Sequence, residues 1–112
     1  MGVDEEVSTS NQEPRPTWTL VTSHGLVLLY VALEPAATIR EIAEELEVTE
    51  RRVADIIRDL TKADLIIVKR EGRRNYYTLG PEAHFRHRLM ADVPLEPLIR
   101  LWKRMRSRRT SR

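Results

Sequence analysis

The stretch TIREIAEELEVTERRVADIIRDL, from Thr38 to Leu60, places the tightest limits on what this chain can fold into. Thr38 followed three places on by Glu41 is a capping box, in which the hydroxyl and the carboxylate each satisfy an amide that a helix start leaves free. The apolar stripe that follows is Ile39, Ile42, Ala43 and Leu46, one face of a helix. Only Glu47, Val48 and Thr49 separate this helix from the next, which Thr49 caps. Val48 before that cap and Val53 after it have the spacing of a hydrophobic staple. The second helix buries Val53, Ile56, Ile57 and Leu60, so at 100° per residue it turns Arg51, Asp55, Arg58 and Lys62 outward, with Arg52 and Ala54 on its flanks.

Upstream, Leu26, Leu29, Tyr30 and Leu33 recur at helical spacing and predict an earlier helix from about Thr22, stopped by Pro35. Downstream, the β-branched run LIIV and the pair Tyr76 and Tyr77 predict two strands joined by a short loop at EGRR. Strand alternation places Tyr77 and Leu79 on the core side while Lys69, Arg70, Arg73 and Arg74 gather toward the tip, where Gly72 permits the turn. Gly80 and Pro81 suit the start of a short helix through about Met90, although HFRHR reads equally well as extended. From Leu95, the residues Leu95, Leu98, Ile99, Leu101, Trp102 and Met105 predict a last helix, delayed or bent at its start by Pro97.

Two closely spaced capped helices followed by a hairpin are the arrangement of a winged helix-turn-helix domain. From Trp18 to about Trp102 the chain resembles small bacterial winged-helix transcriptional regulators of the MarR and ArsR type. The resemblance is carried by WTLVTSHGLVLL, by TIREIAEELEVTERRVADIIRDL, and by GRRNYYTL followed by FRH. It implies a mainly α fold with a β-hairpin: a three-helix core, a two-stranded wing and a C-terminal helix for dimerisation. Residues 1–16, rich in Ser, Thr, Asn, Glu and Pro with almost nothing to bury, read as a disordered arm; the divisions that follow are a DNA-binding domain over 17–80, an extension and dimerisation helix over 81–106, and a basic disordered tail over 107–112. The resemblance further implies a cytoplasmic homodimer that binds double-stranded DNA at a pseudo-palindromic operator, with repression the expected sense and room for a small-molecule effector. The expected contacts are Thr49, Glu50, Arg51, Arg52, Ala54, Asp55 and Arg58 on the third helix, and Lys69, Arg70, Arg73 and Arg74 on the wing. The expected dimer interface is Trp18, Leu95, Leu98, Ile99, Trp102 and Met105, although the last helix's apolar face could instead close the monomer's own core. Similar domains commonly end the third helix with a left-handed Gly; here that place holds Asp64, which tolerates the conformation less well.

Other features weigh for and against that reading. The net charge is only 19 − 17 = +2, yet Asp4, Glu5, Glu6 and Glu13 open the chain and Arg100, Lys103, Arg104, Arg106, Arg108, Arg109 and Arg112 close it. Such asymmetry suits an anionic partner. Against it, the middle helix carries Glu44, Glu45 and Glu47 with only Arg40, and acids near phosphates weaken binding. The spacings Arg51–Asp55 and Asp55–Arg58 also fit a merely solvated, ion-paired face. The alternatives are therefore a winged-helix protein-interaction module or an RNA-binding protein.

Enzymatic chemistry finds little footing. There is no cysteine, no Gly-rich phosphate loop and no evident carboxylate pair, so no catalytic residue and no cofactor are expected. His84 and His87 have Arg86 and Arg88 interleaved, which repel a cation, so no metal site is expected. His24 reads as a capping-region residue facing a dimer or a small polar pocket, and Trp18 and Trp102 as core or interface in preference to an effector pocket. The longest apolar run, Leu26 to Leu33, is far shorter than the roughly 20 residues a membrane helix needs, so no membrane partner is expected.

Overall fold

The computed structural model describes residues 17 to 110, with side chains through 107. The arm predicted over 1–16 and the last residues, 111 and 112, lie outside the described residues. Four helices and one hairpin follow in the order α1 Ser23–Leu33, α2 Ile39–Leu46, α3 Glu50–Lys62, β1 Ile66–Glu71, β2 Arg74–Leu79 and α4 Glu96–Thr110. The fold is thus mainly helical with a β-hairpin.

The starts of α1, α2 and α3 are satisfied locally. Thr22 accepts from the Gly25 amide, Thr49 accepts from the Arg52 amide, and both halves of the Thr38/Glu41 capping box are formed. The ends of α2 and α3 share one device. Beyond α3, Asp64 takes φ +63° while the Leu65 amide reaches back to the Leu60 carbonyl at 2.9 Å and the Asp64 amide to Thr61 at 3.0 Å. Beyond α2, Glu47 takes φ +60° while Val48 bonds Ala43 and Glu47 bonds Glu44. These are Schellman caps made without glycine. The left-handed Asp64 was legible in the sequence; the left-handed Glu47 was not.

The core is built from Val53, Ile56, Ile57 and Leu60 of α3, Ile42 and Ala43 of α2, and Ile66 and Tyr77 of the hairpin. Helix α1 departs from expectation. Its buried residues are Val27, Leu28 and Val31, whereas the predicted stripe of Leu26, Leu29, Tyr30 and Leu33 is only half-buried. The reason is composition: α1 is apolar nearly all round, so two faces satisfy the same periodicity and only tertiary packing chooses between them.

The strands pair antiparallel from Ile66 opposite Leu79 to Glu71 opposite Arg74, leaving Gly72 and Arg73 as a two-residue turn. Gly72 has φ +63° and Arg73 does not, the pattern of a type II′ turn. At the other end of the hairpin the backbone is crowded: a Cβ on Gly80 would stand 2.1 Å from the Asp64 carbonyl oxygen. Glycine is required there for close approach.

The helix entertained through Met90 does not form. The Phe85 amide bonds the Val93 carbonyl and the Leu95 amide bonds Ala83, so residues 83 to 95 make a narrow loop with a single 3-10 turn at Arg88–Met90. Ala83 and Phe85, two apart, turn inward, which is the period of extended chain. Helix α4 then starts on the Leu95 carbonyl, which accepts from Ile99 at 2.9 Å. Pro97 sits in the first turn, where no amide is needed, and neither delays nor bends the start. The predicted tail is shortened, because residues 107–110 continue α4.

Candidate nucleic-acid interface

Helix α3 presents its predicted residues as a graded face. Thr49, Glu50, Arg51, Arg52 and Arg58 are exposed, while Ala54 and Asp55 are half-buried. The Thr49 hydroxyl accepts from the Arg52 amide at 3.0 Å, so its hydrogen remains for another acceptor. One terminal nitrogen of Arg58 donates to Asp55 at 2.9 Å. That pair uses part of the Arg58 fork and offsets its charge, whereas Arg51 forms no hydrogen bond or ion pair among the described residues. Arg51 is therefore more available to an outside acceptor than Arg58.

The hairpin brings Lys69, Arg70, Arg73 and Arg74 together, all exposed, but they are not equivalent. Arg70 lies opposite Asn75 and reaches its amide oxygen at a loose 3.5 Å. Arg74 donates to the Ala36 carbonyl at 3.2 Å, and the Tyr77 amide donates to the neighbouring Pro35 carbonyl at 2.9 Å. These two bonds pin β2 to the corner between α1 and α2. Neither was foreseeable, because nothing in sequence spacing pairs residues about forty apart. Arg73 and Lys69, like Arg51, have no such partner among the described residues.

A third unforeseen contact joins α1 to α3. The His24 Nε2 lies 2.8 Å from an Asp59 carboxylate oxygen. This hydrogen bond, and the neighbouring charges of His24, Arg58 and Arg52, hold the Asp59 carboxyl below the usual carboxylate range although burial pushes it up. His24 thus follows its cap, Thr22, and faces the intramolecular partner Asp59.

The remaining predictions divide. Leu95, just before α4, and Ile99, within it, are buried in the chain's own core, which takes them out of the predicted dimer interface. Leu98 and Met105 are 44% and 57% exposed, beside Leu101 at 44%. Trp102 is half-buried against Leu26, Leu29, Tyr30, Leu33 and Leu46, while Trp18 is 76% exposed and does not join it. His84 bonds the Phe85 carbonyl and His87 caps Leu89, both in the loop before α4, and no group of three metal-binding side chains occurs among the described residues. On α2, Arg40 pairs with Glu44 at 3.5 Å, and Glu45 is exposed beside them. No helix among the described residues is long and apolar enough to cross a membrane.

The chain matches no protein-family model and no curated protein.

Proposed function

We propose that the chain is a sequence-specific DNA-binding transcriptional regulator of winged helix-turn-helix type, acting as a homodimer. In this reading α2 and α3 are the helix-turn-helix, α3 enters the major groove, and the hairpin is the wing. The observation that carries it is the exposed start of α3: Arg51, without a partner among the described residues, stands in the first turn after the Thr49 cap, with Arg52 beside it and Arg58 beyond. An arginine fork recognises the O6 and N7 edge of guanine, and a helix start favours phosphate. Asp55 holds Arg58 in the free protein and is also of the right chemistry to accept from a cytosine amine. Arg73 and Lys69 meet phosphates without regard to sequence. A two-fold axis sets the two α3 helices about one helical turn of DNA apart.

Titration against genomic fragments at several salt concentrations tests this. At least one fragment is expected to beat random duplex by well over about tenfold. Arg51→Glu with Arg58→Glu is expected to abolish that preference while the circular dichroism spectrum is kept; no fragment preference, or an unaffected double variant, overturns the reading.

The acidic flank of α2 favours a second reading, a protein-interaction module. Arg40 is already neutralised by Glu44, and Glu45 adds a further carboxylate where a duplex would bring phosphates. That reading expects no salt-dependent duplex binding and a stable protein complex in a pull-down. Competition by structured or single-stranded RNA covers the RNA-binding alternative.

A further inference from the structure

The outward face of α3 is basic with one exception at its middle. At 100° per residue Arg51, Asp55 and Arg58 fall within a narrow arc, with Asp55 between the two arginines along the axis. Only one oxygen of Asp55 is engaged: Oδ1 accepts from an Arg58 terminal nitrogen at 2.9 Å, while Oδ2 has no partner among the described residues. The other nitrogens of Arg58 likewise have none.

An acid at that place opposes attraction to a polyanion, since it repels the phosphates that Arg51 and Arg58 attract. The fold does not require it. Asp55 is outside the buried residues of α3, and Ala is the better helix former in a helix interior. An exposed i,i+3 ion pair also contributes little stability. What the carboxylate adds to a face of arginines is a demand for a donor. Of the base edges in the major groove, only cytosine N4 and adenine N6 present one, whereas guanine offers O6 and N7, and thymine offers O4 and a methyl group. Set against those acceptors, Oδ2 is repelled and left unpaired.

We propose that Asp55 is a specificity-determining residue that acts by exclusion: it admits a base with an exocyclic amine, cytosine first, beside a guanine read by Arg58, and turns away guanine and thymine. This rests on the DNA-binding reading and names the base step that the site takes. The rise of α3 from residue 55 to residue 58 is about 4.5 Å, against about 3.4 Å between stacked base pairs, so the two side chains meet neighbouring pairs. The bond between them orients the guanidinium while the free oxygen faces the next base. Asp55 thereby lowers affinity for duplex in general and widens the contrast between sites.

Selection from a random duplex pool, followed by titration of the selected duplex and its single-base variants, tests this in the natural chain, Asp55→Ala, Asp55→Asn and Glu45→Ala. The natural chain is expected to select a cytosine beside a guanine in each half-site, with guanine or thymine at the cytosine position binding about tenfold more weakly. Asp55→Ala is expected to cut that contrast below about twofold, to keep the neighbouring guanine, and to bind random duplex more tightly. Asp55→Asn is expected to change the selected base to adenine, whose N6 and N7 suit a carboxamide. Glu45→Ala removes an exposed acid from α2 and is expected to leave every base preference unchanged, which separates exclusion from loss of charge alone. A selected site whose preferences are the same in Asp55→Ala and Asp55→Asn, or a Glu45→Ala chain that loses the same contrast, overturns the inference and leaves DNA binding standing. A natural chain that selects no site overturns DNA binding and the inference with it.

Discussion

Asp64 and Glu47 hold left-handed backbone that L side chains adopt only at a cost of about 1–2 kcal/mol. Asp64→Gly removes that cost and regains part of it as unfolded-state entropy, so a net gain of about 0.5 kcal/mol is expected in the urea midpoint. Gly80→Ala goes the other way. Its Cβ would meet the Asp64 carbonyl oxygen at 2.1 Å, backbone against backbone, and a loss of about 2 kcal/mol or more is expected in the same assay. Asp59 offers a pH signature. Its carboxyl titrates lower in the folded chain than in the unfolded one, so the stabilisation is complete above the ordinary carboxylate value near 3.8 and is lost as pH falls through the folded value. Urea unfolding between pH 6 and 2.5 is therefore expected to show a steeper acid loss in the natural protein than in Asp59→Asn.

Elements differ in how openly the sequence declares them. Thr38, Glu41 and Thr49 fixed the starts of α2 and α3 because a cap is a local event, decided within four residues. The inward face of α3 was equally plain, since Arg51, Arg52, Asp55, Arg58 and Asp59 leave only one side apolar. The inward face of α1 was not, because Leu, Val and Tyr surround it, and neither was the loop at 83–95, whose shape depends on amides paired across eight and twelve residues. The same distinction governs the candidate site: the basic residues of α3 and the hairpin were legible, but that Arg74 is bound to Ala36 was not. Thr38→Ala loses the hydroxyl half of the capping box and is expected to cost about 1 kcal/mol in thermal or urea unfolding. The hairpin arginines are expected to separate by function. In the proposed DNA-binding reading, Arg73→Ala is expected to lower affinity for all duplexes alike and to reduce the slope of log affinity against log salt by about one. Arg74→Ala additionally weakens the hairpin's hold on the α1–α2 corner, visible as faster exchange of the Tyr77 amide.

Across the whole molecule, α4 divides its apolar residues between two duties. Ile99→Ala removes buried core and is expected to cost about 2–4 kcal/mol at any protein concentration. Leu98→Lys with Met105→Lys alters only exposed surface, so it is expected to leave folding intact and shift sedimentation from dimer to monomer if those residues form the two-fold contact. The anchoring of β2 on Pro35 and Ala36 has a larger consequence. With Tyr77 and Arg74 both bound to that corner, the hairpin cannot swing independently of the helices, and the molecule acts as a caliper with fixed jaws. In the proposed DNA-binding reading, a duplex held by both jaws has to adjust its own groove width to the gap, so base steps that yield easily would be favoured at positions no side chain touches.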